Sequence, residues 1–550
     1  MSDGRRLHLI GVGGSGMLPL ALLLKQAGHS VTGSDDACDP VRLSLLREQG
    51  VSVFSNADPA HVRHADHVVA SPAIAETHIE RRTARREGVP VQTRAQALSE
   101  LIADRAAICV AGSHGKSTTT AMLVHILDTA LGGDFGYMLG ASFSTAGRLP
   151  ARLGPPATPF LTEACEAHGA LAQWQPSHAI LTSVDDDHAD HYGGTGGLQA
   201  AFASLLSRVP STGQVVACGD DPGVRAVLRE ATCSVLTYGF GTENLLRAER
   251  HPHGGATLFL HGQCLGDIGL SVPGRHNLLN AMAALGMALE LGADFATCAL
   301  ALTNFEGIGR RLQPISTLSS PRIFDDFAHH PAEITASLAA LREAATGRLI
   351  TIFEPQLHSR VRRMAPAFAQ ALSMADANFI LPVAALGEAA HGMDGNAALA
   401  DACLAIGVTC QHVSAFADLV LRLKSDLRRD DSLVVMAGRT GEGLAQRLAH
   451  ALADADESVD QPVLVYGDKR PPPPDLLTIL ASHAAAHPTA AAVEMGHRCL
   501  TYADLIIRTD DLSEALTAAG VKVGDCVGVC LGRTVDRVTA FLAILQIGGG

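Results

Sequence analysis

A lysine followed by small hydroxyl residues and set behind two glycines is the densest chemistry in this sequence. Gly112-Ser113-His114-Gly115-Lys116-Ser117-Thr118 breaks a short apolar run, Ala106 to Ala111. The apolar positions that follow, Met122, Leu123, Ile126 and Leu127, have helical spacing. Strand, glycine loop and helix together predict a phosphate cradle. The helix start offers unpaired backbone N–H groups and the positive end of its dipole. Lys116 supplies a charge, and the Ser117 hydroxyl can hold Mg²⁺. Val110 stands where a longer phosphate loop has its first glycine, so this is the shorter G-x-x-G-K-[ST]-T form. An ordinary glycine turn before a Thr-rich helix is the plain alternative, and it leaves the lysine without a packing use.

Further candidates fall just past other predicted strands. Phe160 to Glu166 reads as a strand entering polar positions, and His178 to Leu181 leads into Thr182-Ser183-Val184-Asp185-Asp186-Asp187-His188-Ala189-Asp190-His191-Tyr192-Gly193. Mg²⁺ takes few protein oxygens beside phosphates and water. One Glu and one His suit it; His188 reads as a ligand, Asp185 and Asp186 as solvated acids. Asn277 and Asn280, three apart on one helix face, can hydrogen-bond a base, although Asn277 can equally cap the helix. Near the N-terminus a strand, Leu7 to Ile10, runs into Gly11-Val12-Gly13-Gly14-Ser15-Gly16, a helix through Leu24 and a second strand, with Asp35 near a ribose position. This predicts a Rossmann-like phosphate turn without specifying NAD. Ser71 opens another strand-end loop after Asp66 to Ala70.

These residues need an α/β scaffold to bring strand ends together. Three α/β units supply it, the third with strands at Arg322, Leu349 to Phe353, Asn378 to Leu381 and Ser432 to Ala437. A length of 550 residues allows about three or four domains. A net charge of −14 argues against a nucleic-acid surface. Twelve cysteines without a C-x-x-C pair fit free thiols in a reducing cytoplasm. Neither a leader nor an apolar run of about 18 residues is seen, so a cytoplasmic protein without membrane contact is expected.

The motifs GVGGSGM, GSHGKSTTT, a strand-end Glu166, DHADHYG, PGRHNLLN, GRR and DDFAHHP occur in one order over about residues 5 to 450, and that ordered set resembles the Mur ligase family. The resemblance implies a UDP-sugar-binding Rossmann-like domain (1–100), a central P-loop-like ATP-binding domain (101–312) and a Rossmann-like amino-acceptor domain (313–454). It assigns ATP to Gly112 through Thr118, with Lys116 on the phosphates, Asn277 and Asn280 on the adenine side, and Arg311 and Asp326 closing the site. Ser117 and Glu166 would hold one Mg²⁺ and His188 a second metal. Gly11, Gly13, Gly14, Gly16, Met17, Ser34, Asp35 and Ser71 would take the UDP-sugar, and His330 and Arg360 the acceptor. The implied reaction is phosphorylation of a carboxylate by ATP, then amine attack on the acyl phosphate. Ala164-Cys165-Glu166-Ala167-His168 departs from the A-D-E-S-D of alanine-adding members, and Glu354-Pro355-Gln356 from their Q-P-H loop.

A Pro-rich linker is predicted over 455–475. Beyond it, Leu500-Thr501-Tyr502-Ala503-Asp504-Leu505, Gly524-Asp525-Cys526-Val527 and Ala543 to Gly549 resemble the start of a nonribosomal-peptide adenylation domain, so 476–550 reads as a truncated fragment. The expected function is an ATP- and Mg²⁺-dependent amide ligase of peptidoglycan biosynthesis using UDP-N-acetylmuramate. Alternatives are the same chemistry on another carboxylate within a natural-product assembly line, with further domains in a longer parent chain, and a non-catalytic nucleotide-binding scaffold. A dehydrogenase leaves the lysine loop unexplained.

Overall fold

Short runs of β-branched and small apolar residues, each followed by a helix, favour parallel strands covered on both faces. The computed structural model describes residues 4–453 apart from 146, 187–188, 253, 316–320, 387, 389–393 and 439–440, and residues 476–547 apart from 496–497, 523–524, 526 and 530–534. His188, the 455–475 linker, Gly524 and Cys526 therefore lie outside the described residues. Contacts divide the chain into two units, residues 1–459 and 460–550.

Among the described residues the first unit holds three sheets. The first has order β3-β2-β1-β4-β5, all parallel, from β1 (Arg6–Ile10), β2 (Ser30–Ser34), β3 (Ser52–Phe54), β4 (His67–Ala70) and β5 (Val91–Thr93). The second is centred on β6 (Ala107–Ala111), flanked by β9 (Phe160–Ala164), beyond which lie β7 (Gly136–Met138) and β8 (Ala151–Arg152), and on the other side by β10 (His178–Leu181), β11 (Gln214–Cys218) and β12 (Ser234–Gly239). Strands β13 (Leu246–Arg250), β14 (Ala256–Leu260) and β15 (Gln263–Ile268) extend that edge, the last two antiparallel. The third sheet has order β16-β17-β21-β18-β19-β20, from β16 (Gln313–Pro314), β17 (Arg322–Asp326), β18 (Leu349–Glu354), β19 (Ala377–Ile380), β20 (Cys410–His412) and β21 (Ser432–Ala437).

Alternation along β6 divides its side chains between two cores. Ala107, Cys109 and Ala111 join one, Ile108 and Val110 the other. The second core is covered by the helices Lys116–Leu131 and Arg275–Glu290, whose apolar faces are fully buried. These two helices carry the lysine loop and the paired asparagines, so burial of one face fixes the position of both. The 246–268 hairpins escape the sequence reading; Leu260 and Gln263 pair across His261 and Gly262, both at positive φ, as a two-residue hairpin loop requires.

The second unit contains the helix Leu476–Ala486, an antiparallel pair β22 (Ala491–Met495) and β23 (Arg498–Thr501), and the helices Tyr502–Ala518 and Val535–Gln546. Thr501 and Asp504 form a capping box at the start of the helix Tyr502–Ala518. Among the described residues no helix is long and apolar enough to cross a membrane, and no disulfide is found.

Leu123 is fully buried at the centre of its helix. Leu123→Ala is expected to cost about 2–5 kcal/mol of stability. Denaturant unfolding followed by Trp174, the only tryptophan of the chain and itself buried, measures it. A loss below about 1 kcal/mol would mean that this helix is not anchored by that contact.

Candidate functional site

The loop after β6 is tied to the end of β10, and two glycines permit the approach. Gly112 has φ +134°, and a Cβ there would lie 2.1 Å from Thr182 Oγ1. Gly115, at φ +82°, precedes the helix, and its Cβ would lie 2.4 Å from Asn280 Oδ1. Ser113 N–H donates to Ser183 O and His114 N–H to Ser183 Oγ, both at 2.9 Å. Asp185 N–H donates to Ser113 Oγ at 2.8 Å. Asn280 accepts from Thr119 Oγ1 at 3.2 Å and donates to Asn277 Oδ1 at 3.3 Å. The capping alternative for Asn277 fails: Gly274 precedes the helix, and Asn277, in its first turn, donates to Pro273 O at 2.7 Å.

Lys116 and Ser117 each face a carboxylate. Lys116 Nζ lies 2.9 Å and 3.1 Å from the two oxygens of buried Glu166 and donates to Gly112 O and Ser113 O. Burial works against the ammonium, but Glu166 raises its pKa above the ordinary lysine range. Ser117 Oγ donates to Glu163 Oε2 at 2.7 Å, and Gly140 N–H to Glu163 Oε1 at 2.6 Å. Of Ser117 and Glu166, implied as holders of one Mg²⁺, Ser117 bonds Glu163, which β9 pairs opposite Val110, while Glu166, past the strand, takes the lysine. Oxygen donors at Ser117 and Glu163 fit Mg²⁺, a hard cation.

A second group of residues closes on His114. Its Nε2 lies 3.4 Å from Asp185 Oδ2 and its Nδ1 3.5 Å from Glu333 Oε1. The His330 ring lies tilted against that of His114 at a centroid distance of 5.1 Å, with Nε2 3.6 Å from Asp186 Oδ1. Asp185 and Asp186 are half-exposed, as expected of solvated acids, yet each faces a histidine. His114 holds the Asp185 carboxyl down at about 2. Glu333 also takes Arg311 Nη1 at 3.3 Å. Burial alone would raise Glu333, but His329, His114 and Arg311 hold it well below the usual carboxylate range. Glu333 and Glu163 escape the sequence reading. The one-turn spacing of Glu333 from His329 is a local signal for the former.

Asp326, expected to close the nucleotide site, is 2% exposed and fully engaged by neighbouring donors. It accepts from Leu312 N–H (3.1 Å), Ala328 N–H (2.7 Å) and Ser337 Oγ (2.9 Å). Its carboxylate thus holds the turn that presents Arg311. Arg360 lies in the first turn of the helix His358–Leu372.

The N-terminal glycine turn sits at the end of β1. Gly11 N–H donates to Ser34 O, and a Cβ at Gly11, φ +77°, would lie 3.2 Å from Ser71 Cβ. Asp35 accepts from Gly13 N–H at 2.9 Å, so it braces the turn. Gly14 N–H donates to Gly11 O, and Met17 N–H to Gly14 O. A Cβ at Gly16 would meet the Arg94 guanidinium, the mobile end of a long side chain. A cavity of about 290 Å³ is lined by Ser71, Arg81, Arg85, Thr93, Arg94 and Ala167 among others. Those arginines are absent from the sequence reading.

Residues 6–106, 110–288 and 310–440 match, in turn, the Mur ligase family catalytic domain, the Mur ligase middle domain and the Mur ligase glutamate ligase domain; residues 480–549 match an AMP-binding enzyme. The chain is 34% identical over 448 residues to the UDP-N-acetylmuramate–L-alanine ligase of Nitratidesulfovibrio vulgaris, covering 80% of this chain and 98% of that one. Identity to the same ligase of Halorhodospira halophila is 39% over 447 residues, 79% and 90% of the two chains. A solved murein peptide ligase of Psychrobacter arcticus is 26% identical, with a TM-score of 0.65 over 82% of this chain and 99% of that one. The UDP-N-acetylmuramate–alanine ligase of Thermotoga maritima, 24% identical, shares the fold with a TM-score of 0.69 over 82% and 100% of the chains.

Burial lifts the Asp326 carboxyl to about 6, against Arg311, Ala328 N–H and Ser337, which lower it. A folded-state value above the unfolded one favours folding while the group is protonated. That contribution is full below about pH 4 and is lost as pH rises through about 6. Asp326→Asn has no such loss, so its melting temperature minus that of the wild type is expected to increase from pH 4 to 7. A difference constant across that range would overturn the assignment.

Proposed function

The chain belongs to the Mur ligase family and is an ATP-dependent acid–amino-acid ligase, and we propose that it joins UDP-N-acetylmuramate to the amine of L-alanine. The observation that carries this reading is the double pairing at one helix N-terminus, Lys116 with Glu166 and Ser117 with Glu163. It is a cradle for a phosphoryl group and a cation. The names of the relatives at 34% and 39% identity supply the donor and acceptor.

In this reading residues 1–100 hold the UDP-sugar, 101–312 the ATP and 313–454 the acceptor. The glycine turn Gly11 to Gly16 and the arginine-lined cavity beside Ser71 take the nucleotide-sugar. Lys116 sets a cation where the oxygens of the transferring phosphoryl group gather charge. Ser117 and Glu163 would hold Mg²⁺, which when bound supplies Lewis-acid charge to those oxygens. Arg311, braced by Glu333, and Asn277 with Asn280 border the nucleotide. The carboxylate takes the γ-phosphoryl group and ADP is released. The amine nitrogen then bonds the acyl carbon, phosphate departs with the C–O bond pair, and the amine proton is lost. His330 and Arg360 are the residues assigned to the acceptor.

The match of residues 480–549 to an AMP-binding enzyme favours a second reading, the same ligation on another carboxylate within a peptide assembly line. ADP release measured over a panel of carboxylates and amino acids separates the two. Stimulation by L-alanine only with UDP-N-acetylmuramate supports the first; stimulation only with another carboxylate supports the second.

Lys116→Ala is expected to reduce ADP formation to below about a tenth, a barrier increase of at least about 1.4 kcal/mol. Turnover above that level with the fold intact would remove Lys116 from the phosphate site. A chain ending near Asp460 is expected to keep full ADP release, since residues 460–550 form a separate unit. Assay of both chains side by side checks it, and loss of activity on truncation would mean that the second unit shapes the ligase site.

A further inference from the structure

Away from the phosphate loop, three side chains from separate elements of the first sheet converge on one buried point. His8 lies on β1, His61 on the 3₁₀ turn Pro59–Val62 and Glu80 on the helix Ile79–Arg86. One ligand atom from each lies within 4.8 Å of the others. His8 Nε2 is 3.6 Å and His61 Nδ1 2.9 Å from the same oxygen, Glu80 Oε1. The side chains of His8 and Glu80 are wholly buried and that of His61 is 12% exposed.

The hydrogen bonds around His8 show why this arrangement is not self-sufficient. His8 Nδ1 faces Thr32 Oγ1 at 2.9 Å, so Nε2 is the ring nitrogen turned toward Glu80. His8 Nε2 is buried, makes no hydrogen bond and lies 3.6 Å from Glu80 Oε1. A buried imidazole nitrogen without a hydrogen bond costs free energy, and a cation held between it and the carboxylate would offset that cost. Glu80 already accepts from Ser34 Oγ on its other oxygen and from Asp58 N–H on Oε1, which fixes its plane. The His61 ring is fixed by stacking on Phe54 at 3.8 Å. His78 Nδ1, also buried without a hydrogen bond, lies 4.0 Å from the other oxygen, Glu80 Oε2.

We infer that His8, His61 and Glu80 form a binding site for a divalent transition cation of the zinc class, separate from the Mg²⁺ site of the ligase reaction. Two imidazole nitrogens and one carboxylate oxygen are a zinc-type donor set, and Mg²⁺ prefers oxygen alone. With tetrahedral bonds of about 2.0–2.1 Å, neighbouring ligand atoms stand about 3.3 Å apart; the separations of 3.6 Å and 2.9 Å bracket that distance. Thr32, Ser34 and Phe54 orient the ligands, as outer partners do at such sites. The cation would tie β1, the 59–62 turn and the following helix together behind the glycine turn.

Cobalt(II) is the probe, because its visible absorption reports a low-coordinate nitrogen and oxygen site. The full chain, stripped with chelator and kept in excess Mg²⁺, is titrated with Co²⁺ and then displaced by Zn²⁺. One equivalent with a tetrahedral-type visible spectrum is expected, with affinity at least about tenfold lower in His61→Ala and in Glu80→Gln. His61 is the least buried of the three, so its variant tests the site even where Glu80→Gln or His8→Ala does not fold. His330→Ala should retain the signal, which separates this site from the His114, Asp185 and His330 group. Absence of a cobalt spectrum in the wild type, equal affinity in His61→Ala, or loss of the signal in His330→Ala with its retention in His61→Ala would each overturn the assignment.

Discussion

The buried ion pair between Lys116 and Glu166 sets the terms for everything around it. An ammonium 13% exposed and a carboxylate 1% exposed have lost most of their hydration. Their mutual attraction offsets that loss only where further hydrogen bonds complete the set. Here Gly112 O and Ser113 O complete the lysine. Those carbonyls turn inward because Gly112 adopts φ +134° and lies against Thr182, which no side chain at position 112 would permit. The ion pair therefore requires the glycine, the glycine requires the end of β10, and β10 is held beside β6 by a parallel register from His178 with Ile108 to Leu181 with Ala111.

The same loop is where the third sheet reaches the second. Glu333, at the start of the helix Pro331–Ala344, holds His114 on one side and Arg311 on the other. His276, at the start of the asparagine-bearing helix, is pushed down to about 4 by burial, with Arg311 adding to the shift. It stays neutral beside that guanidinium. One carboxylate thus fixes the electrostatic relation between the phosphate loop and the turn that carries Arg311. Removing it would take a carboxylate away from His114 and from Arg311 at once.

Much of this was legible in the sequence because it is local. Strand, glycine loop and helix are adjacent in the chain, so the residues from Gly112 to Thr118 could be given a common purpose before any tertiary contact was known. The glycine turn at Gly11 and the helix bearing Asn277 and Asn280 were legible for the same reason. Pairings set by register were not. Glu163 reaches Ser117 because β9 lies beside β6 with Glu163 opposite Val110, and no spacing within either segment reveals that. Asp326 illustrates another case. The family resemblance alone assigned it to the nucleotide site, and its hydrogen bonds from Leu312, Ala328 and Ser337 show in addition that it braces the arginine turn.

The histidine pair around Glu80 extends this distinction between local and register-set chemistry. His8, His61 and Glu80 are spread over 73 positions, and each alone reads as a polar residue on an apolar strand or a short helix. Parallel pairing puts His8 beside Thr32 on β2, and that contact engages Nδ1. The orientation of the ring is then set by a neighbouring strand rather than by the site itself. With Nδ1 held at Thr32, Nε2 is turned toward Glu80. Chemistry that sequence spacing cannot show thus follows from one register and one hydroxyl, as the placing of Glu163 beside Ser117 follows from another.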